Sequence, residues 1–142
     1  MPMDKPEPVP DAVSAFYWEH AARGELAIQG FEDSDFVQFP PNSVAERIDV
    51  SGSARAVVVS GRGTLYAYTI LHQAFHPAFG DSVPLAIGLT ELDDHPGIRI
   101  LSNIVDAEPG ELRSGLPVEV TFEKRGSQSL PQFRPVRSGD SA

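Results

Sequence analysis

Four histidines, His20, His72, His76 and His95, are the side chains best suited to acid-base or metal chemistry, and none stands in a spacing that such chemistry uses. His72 and His76 are four residues apart, but the segment between them runs into Pro77 and is a poor helix. Serine has no Gly-x-Ser-x-Gly elbow and no local order of Ser, His and Asp around it. There is no cysteine, which removes thiolate nucleophiles, disulfides and cysteine metal sites together. Asp93 with Asp94, and Glu108 with Glu111, are paired carboxylates beside Gly and Pro in turns, whereas a catalytic carboxyl needs burial to tune it, so they read as solvated turn acids. The Gly61–Gly63 stretch is too short for a phosphate loop, and no helix follows it. Arg47, Arg55 and Arg62 gather upstream of the first long strand and read as solvated surface. The inventory therefore contains no self-sufficient catalytic centre.

The elements that position these residues are those of one small domain. A chain of 142 residues builds a single modest core. Its hydrophobic content of 41%, with 12 Gly and 13 Pro, favours many turns and β structure over helix. A net charge of −9 opposes nucleic acid and anionic membrane, both of which call for a basic face. No apolar run approaches the roughly 20 residues of a membrane span. The opening MPMDKPEPVP lacks the charged-then-apolar plan of a signal peptide, so a cytoplasmic location is expected.

Met1–Pro10 holds four prolines and is expected as a flexible arm. Asp11 is a candidate N-cap for a helix over Ala12–Arg23, with Gly24 closing it. Phe16, Tyr17 and Trp18 are consecutive, about 100° apart on a helix, so one face cannot bury all three. Glu25–Gln29 reads as a short strand and Gly30–Ser53 as irregular, marked by QFPP at Gln38–Pro41. Ala54–Ser60 and Thr64–Leu71 are strands, as one bent strand or as a hairpin, with Gly61 and Gly63 freeing the turn between them. His72–Val83 is a loop. Pro84–Leu92 alternates, with Leu85, Ile87 and Leu89 on one face, and Ile98–Val105 follows a polar turn as its hairpin partner. Asp106–Pro117 is too rich in Gly and Pro for more than a helical turn. Val118–Lys124 alternates most cleanly, Ser127–Pro131 is a loop and Gln132–Val136 an edge strand. Five strands joined mostly by short turns predict a mainly β protein, a five-stranded OB-fold barrel; a β-sandwich is the competing architecture.

In order, FYWEHAARGELAIQ, QFPP, VSGRGTLYAYT, LAIGLTELDD, GIRILSNIVD and SGLPVEVTFEK resemble the acyl-CoA-associated OB-fold family once catalogued as domain of unknown function thirty-five. The resemblance covers Phe16 to about Lys124. It implies an N-terminal helix, a zinc ribbon and an OB-fold, acting as a non-catalytic companion of thiolase-fold enzymes, lipid-transfer-type aldolases or hydratases that handle acyl-CoA. Placed on the family pattern, the zinc ligands fall at Phe31 with Ser34 and at Ala45 with Ile48, so all four cysteines are replaced. A degenerate, metal-free ribbon is expected, held by a cluster of Phe31, Phe36, Phe39, Val44 and Ile48.

The expected organisation is an arm at 1–10, helix plus degenerate ribbon at 11–53, OB-fold at 54–136 and a disordered tail at 137–142. The resemblance implies an accessory subunit in a hetero-oligomer with a thiolase-fold enzyme, with no catalytic residue of its own, and the four missing cysteines imply no zinc. Phe16, Tyr17, Trp18, Phe36, Phe39 and Pro40 are the expected partner interface. In the competing reading the barrel itself binds CoA or acyl-CoA, with Arg62 and Arg99 at the phosphates. Neither reading includes nucleic acid or membrane as a partner.

Overall fold

Leu26–Phe31 forms β1, all six residues of which are buried. Such an unbroken LAIQGF run suits a strand covered on both faces. The computed structural model describes residues 5–73 and 76–137, and in it β1 is the middle of a three-stranded antiparallel sheet. Its neighbours are β2, Ser34–Gln38, and β3, Ala54–Val59. β2 lies inside the stretch expected to be irregular. SDFVQ is too short to show a period, and its strand character comes from pairing, Gln29 opposite Gln38 and Gly30 opposite Val37. β3 pairs with β1 through six residue pairs, from Leu26 opposite Val59 to Phe31 opposite Ala54. It is therefore not the hairpin partner of the next strand; the chain bends through Ser60 and Gly61 from one sheet into the other.

Gly61 makes the change of sheet. Its φ is +82°, and a Cβ there would meet Val120 Cγ1 at 2.3 Å, so only glycine fits. Beyond it the second sheet has the order β6-β5-β4-β7-β8. These strands are β4 Arg62–Leu71, β5 Leu85–Leu92, β6 Arg99–Asn103, β7 Pro117–Arg125 and β8 Gln128–Pro135. Its two edges, β6 and β8, meet through a parallel bridge between Ile104 and Phe133. Val105 N–H donates to the Phe133 carbonyl at 2.9 Å, and Asn103 N–H to Gln132 Oε1 at 2.8 Å. The result is the expected OB-fold, bridged between its edges instead of closed by a full ladder. β8 starts at Gln128, earlier than the sequence suggested, because Arg125 and Gln128 pair directly across a two-residue turn.

β5 alternates strictly, with Ala86, Gly88, Thr90 and Leu92 buried and Leu85, Ile87, Leu89 and Glu91 half-buried. The buried set faces the barrel interior, which is filled by Leu65, Ile100, Ile104, Val118 and Phe133. Gly88 shows how little room remains, since a Cβ there would lie 2.6 Å from Leu65 Cδ1 and 2.7 Å from Ile104. Leu26, Ile28 and Val59 of the first sheet join the same core.

The helix, α1, spans Ala15–Ala22 and packs on β1 and β8. Ser14 holds the N-cap position expected for Asp11. Asp11 closes the preceding turn instead, its Oδ1 accepting from Ser14 N–H at 2.8 Å and from Ser14 Oγ–H at 2.7 Å. These bonds, the side-chain one foremost, hold the Asp11 carboxyl below its ordinary pKa of 3.8. A depressed carboxyl contributes its stabilisation above the unfolded-state pKa and loses it as pH falls through the lower folded value. The Ser14 amide shift is thus expected to titrate with a midpoint under 3.8, and a midpoint at the ordinary value would remove the bond from solution.

Part of the expected arm has contacts of its own. Lys5 Nζ lies 5.3 Å from the Phe79 ring centroid, Arg125 Nη1 donates to the Pro6 carbonyl at 3.2 Å, and Ser127 Oγ donates to Glu7 Oε1 at 2.9 Å. At the other end Arg137 pairs with Glu111, and the rest of the expected tail lies outside the described residues.

Candidate functional site

The three consecutive aromatics of α1 diverge. Phe16 lines a hollow of about 350 Å³ against Ala54, Arg55 and Ala56 of β3. Tyr17 and Trp18 turn towards the barrel and meet edge to face, centroids 4.8 Å apart. Phe39 joins them 5.8 Å from Tyr17, carried by a turn whose Phe39-Pro40 peptide is cis. These three rings wall a cavity of about 610 Å³. Its floor is the outer face of β5 and β6, with Leu85, Ile87 and Leu101, and the far side is Phe79 and Leu130. This volume lies in the range of small-molecule sites. The position is the face of the second and third barrel strands, between the first loop and the last turn, which is where OB-folds generally hold ligands.

The polar groups at the cavity are mostly engaged. Arg125 is paired with Glu123, Nη2 to Oε2 at 2.5 Å and Nε to Oε2 at 3.2 Å, and its side chain is 11% exposed. His76 accepts from Ala78 N–H through Nδ1 at 3.0 Å and so caps the 3-10 turn Pro77–Ser82. Gln132 Oε1 receives the Asn103 amide. Burial pushes the Tyr17 phenol above its usual range, so the ring stays neutral. A site with apolar walls and a neutralised cation suits an apolar body, not a phosphate.

The structure unites Tyr17, Trp18 and Phe39 from the expected interface, with exposed Pro40 in the same turn. Phe16 lies on the other side of the helix, and Phe36 stacks on Phe31 at 6.3 Å beneath the Arg47 guanidinium. Arg99 pairs with Glu91 at 3.5 Å and lies 3.8 Å over the Tyr66 ring. It stands two residues before Leu101 on β6, outside the cavity lining. Arg62, opposite Glu119 on β7, does not line it either. Sequence reasoning missed Leu85, Ile87 and Leu101 as site residues. The signal was present, because three of the four alternate positions of β5, Ala86, Gly88 and Thr90, are small enough to be the inward set.

The residues at the four expected zinc positions do not form a ligand set. Phe31 is 4% exposed, Ser34 Oγ accepts from Phe36 N–H at 3.0 Å, and Ile48 is fully exposed. No cluster of metal-ligating side chains occurs among the described residues. The expected apolar cluster is also corrected. Only Phe31 and Phe36 stack; Val44 and Ile48 face solvent, and Phe39 goes to Tyr17.

Sheet order, edge bridge and outer-face cavity define an OB-fold protein. Residues 56–123 match the family model of the ChsH2 C-terminal OB-fold domain. The chain is similar to the DUF35 OB-fold family, the one its sequence resembles. It is 33% identical over 122 residues to the 3-oxo-4,17-pregnadiene-20-carboxyl-CoA hydratase alpha subunit of Mycobacterium tuberculosis, covering 86% of this chain and 37% of that protein. It is 30% identical over 133 residues to a probable enoyl-CoA hydratase alpha subunit of Thermomonospora curvata, covering 93% and 40%. A DUF35 domain-containing scaffold protein of Methanocaldococcus jannaschii is 30% identical over 88 residues, 62% of this chain and 60% of that one. The chain thus spans about two fifths of the two hydratase subunits. A solved structure described as Ltp2-ChsH2(DUF35) aldolase superposes with a TM-score of 0.79 at 28% identity, covering 91% of this chain and 98% of that one.

Proposed function

We propose that this chain is a non-catalytic accessory subunit of a thiolase-fold enzyme, a lipid-transfer-type aldolase or thiolase acting on acyl-CoA thioesters. It helps assemble that enzyme and shapes the path of the acyl-CoA. The observation that carries the reading is the likeness over 98% of a chain in the Ltp2-ChsH2(DUF35) aldolase, supported by a relative that is described as a scaffold. The docking surface consists of Phe16, Tyr17, Trp18, Phe36, Phe39 and Pro40, whose exposed parts surround the cavity and the first sheet. The cavity then receives an apolar part of the thioester; Arg62 and Arg99, the phosphate contacts of the competing reading, stand outside its lining.

The test is affinity purification of the chain, tagged at its C-terminus, from its native host, with mass spectrometry of what co-elutes. A thiolase-fold protein in stoichiometric yield is the expected result, and a clean monomer would overturn the assembly role. The cavity on the OB ligand face supports a second reading, a stand-alone acyl-CoA-binding module. Calorimetric titration of the isolated chain with CoA and with an acyl-CoA separates the two, since only the module binds without a partner.

A further inference from the structure

We infer that the buried carboxamides of Gln29 and Gln38 hold the Phe39–Glu46 segment where the family pattern would place a zinc ribbon, and so position Phe39 as a cavity wall. The inference rests on reading that cavity as the site. Gln29 and Gln38 face each other across β1 and β2 and are 3% and 2% exposed. Gln38 Nε2–H donates to Gln29 Oε1 at 2.8 Å and to the Val44 carbonyl at 3.0 Å. Gln38 Oε1 accepts from Glu46 N–H at 2.8 Å. Gln29 Nε2–H donates to the Asn42 carbonyl at 2.8 Å, and Gln29 Oε1 accepts from Asn42 N–H at 2.9 Å.

Gln38 directly precedes Phe39, and Asn42 directly follows Pro41, so this network brackets the cis-proline turn on both sides. Each position demands a tip that both donates and accepts. Leucine offers neither, glutamate lacks the donor, and asparagine is one methylene short. A metal clip requires deprotonated ligands and yields to a chelator. The amide pair requires neither, so the turn is fixed without metal.

The test uses the full chain and two readouts, amide exchange at Asn42 and Glu46 and the emission of Trp18, the one tryptophan present. Gln38→Leu is expected to lower protection at both amides by roughly tenfold or more and to shift Trp18 emission, with Leu65 and Val120 in the barrel unchanged. Gln38→Glu keeps an acceptor for Glu46 and loses both donors. It is expected to retain Glu46 protection while still moving Trp18, a split that general loosening would not give, and it serves if Gln38→Leu does not fold. Wild-type protection is expected to survive a chelator. Unchanged protection in Gln38→Leu, unmoved Trp18 emission in both variants, or loss of wild-type protection in chelator would overturn the inference. Failure to capture a thiolase-fold partner would sink the accessory-subunit reading and leave these measurements as they are.

Discussion

Phe133→Ala is expected to destabilise the fold by about 3–5 kcal/mol in urea titration, the usual cost of removing a fully buried ring. A domain of this size is stable by roughly 5–15 kcal/mol, so the variant sits near the unfolding threshold. Phe133 is 0% exposed, and its ring packs in the core that holds Leu65, Ile104 and Val118. Its backbone is also the link between the sheet edges, through the bridge to Ile104 and the Val105 amide. Without the ring, β6 and β8 lose the packing that keeps this link in place. Exchange at Asn103 and Val105 is therefore expected to rise before that in the centre of β4. A loss under about 1 kcal/mol would mean that the barrel edges are held by something other than this residue.

Trp18→Ala is expected to weaken the proposed complex by about 2 kcal/mol or more, roughly 30-fold in Kd, as for other aromatic anchors at interfaces. The indole is half-buried and meets Tyr17 edge to face, so it is presented by the helix and not consumed by the core. The barrel should unfold at the wild-type urea midpoint, because the ring lies outside the buried cluster. Phe36→Ala is the useful comparison, since its ring is stacked on Phe31 beside the first sheet. An unchanged Kd for Trp18→Ala would remove α1 as the anchor and leave the first sheet as the docking element.

The architecture was legible wherever local pattern and tertiary placement agree. Val118, Val120 and Phe122 alternate in β7 and all three pack in or against the core, and the period appears in the sequence. β2 was illegible because five residues carry no usable period and its partner is supplied by β1. Gln29 and Gln38 were missed for a related reason. A polar residue in a strand reads as solvent-facing, and only the pairing of the two strands shows that each satisfies the other. The aromatic triplet was partly readable, since geometry forbids one face from burying all three rings. Which ring goes where depends on the cavity beside α1, and that is a tertiary fact. Leu85 and Ile87 belong to an obvious strand, but the side to which they turn is decided by how narrow the barrel is, not by their own hydrophobicity.

That narrowness bears on how such proteins diverge. With Gly88 already crowded by Leu65 and Ile104, the lumen is a solid post and has no capacity to lend to a guest. Whatever this chain accommodates must be accommodated outside, by parts appended to the post: α1, the cis-proline turn and the loop that carries Phe79. Selection can therefore rewrite those parts while the load-carrying interior stays constant, so recognition and foldability evolve on nearly separate sets of residues.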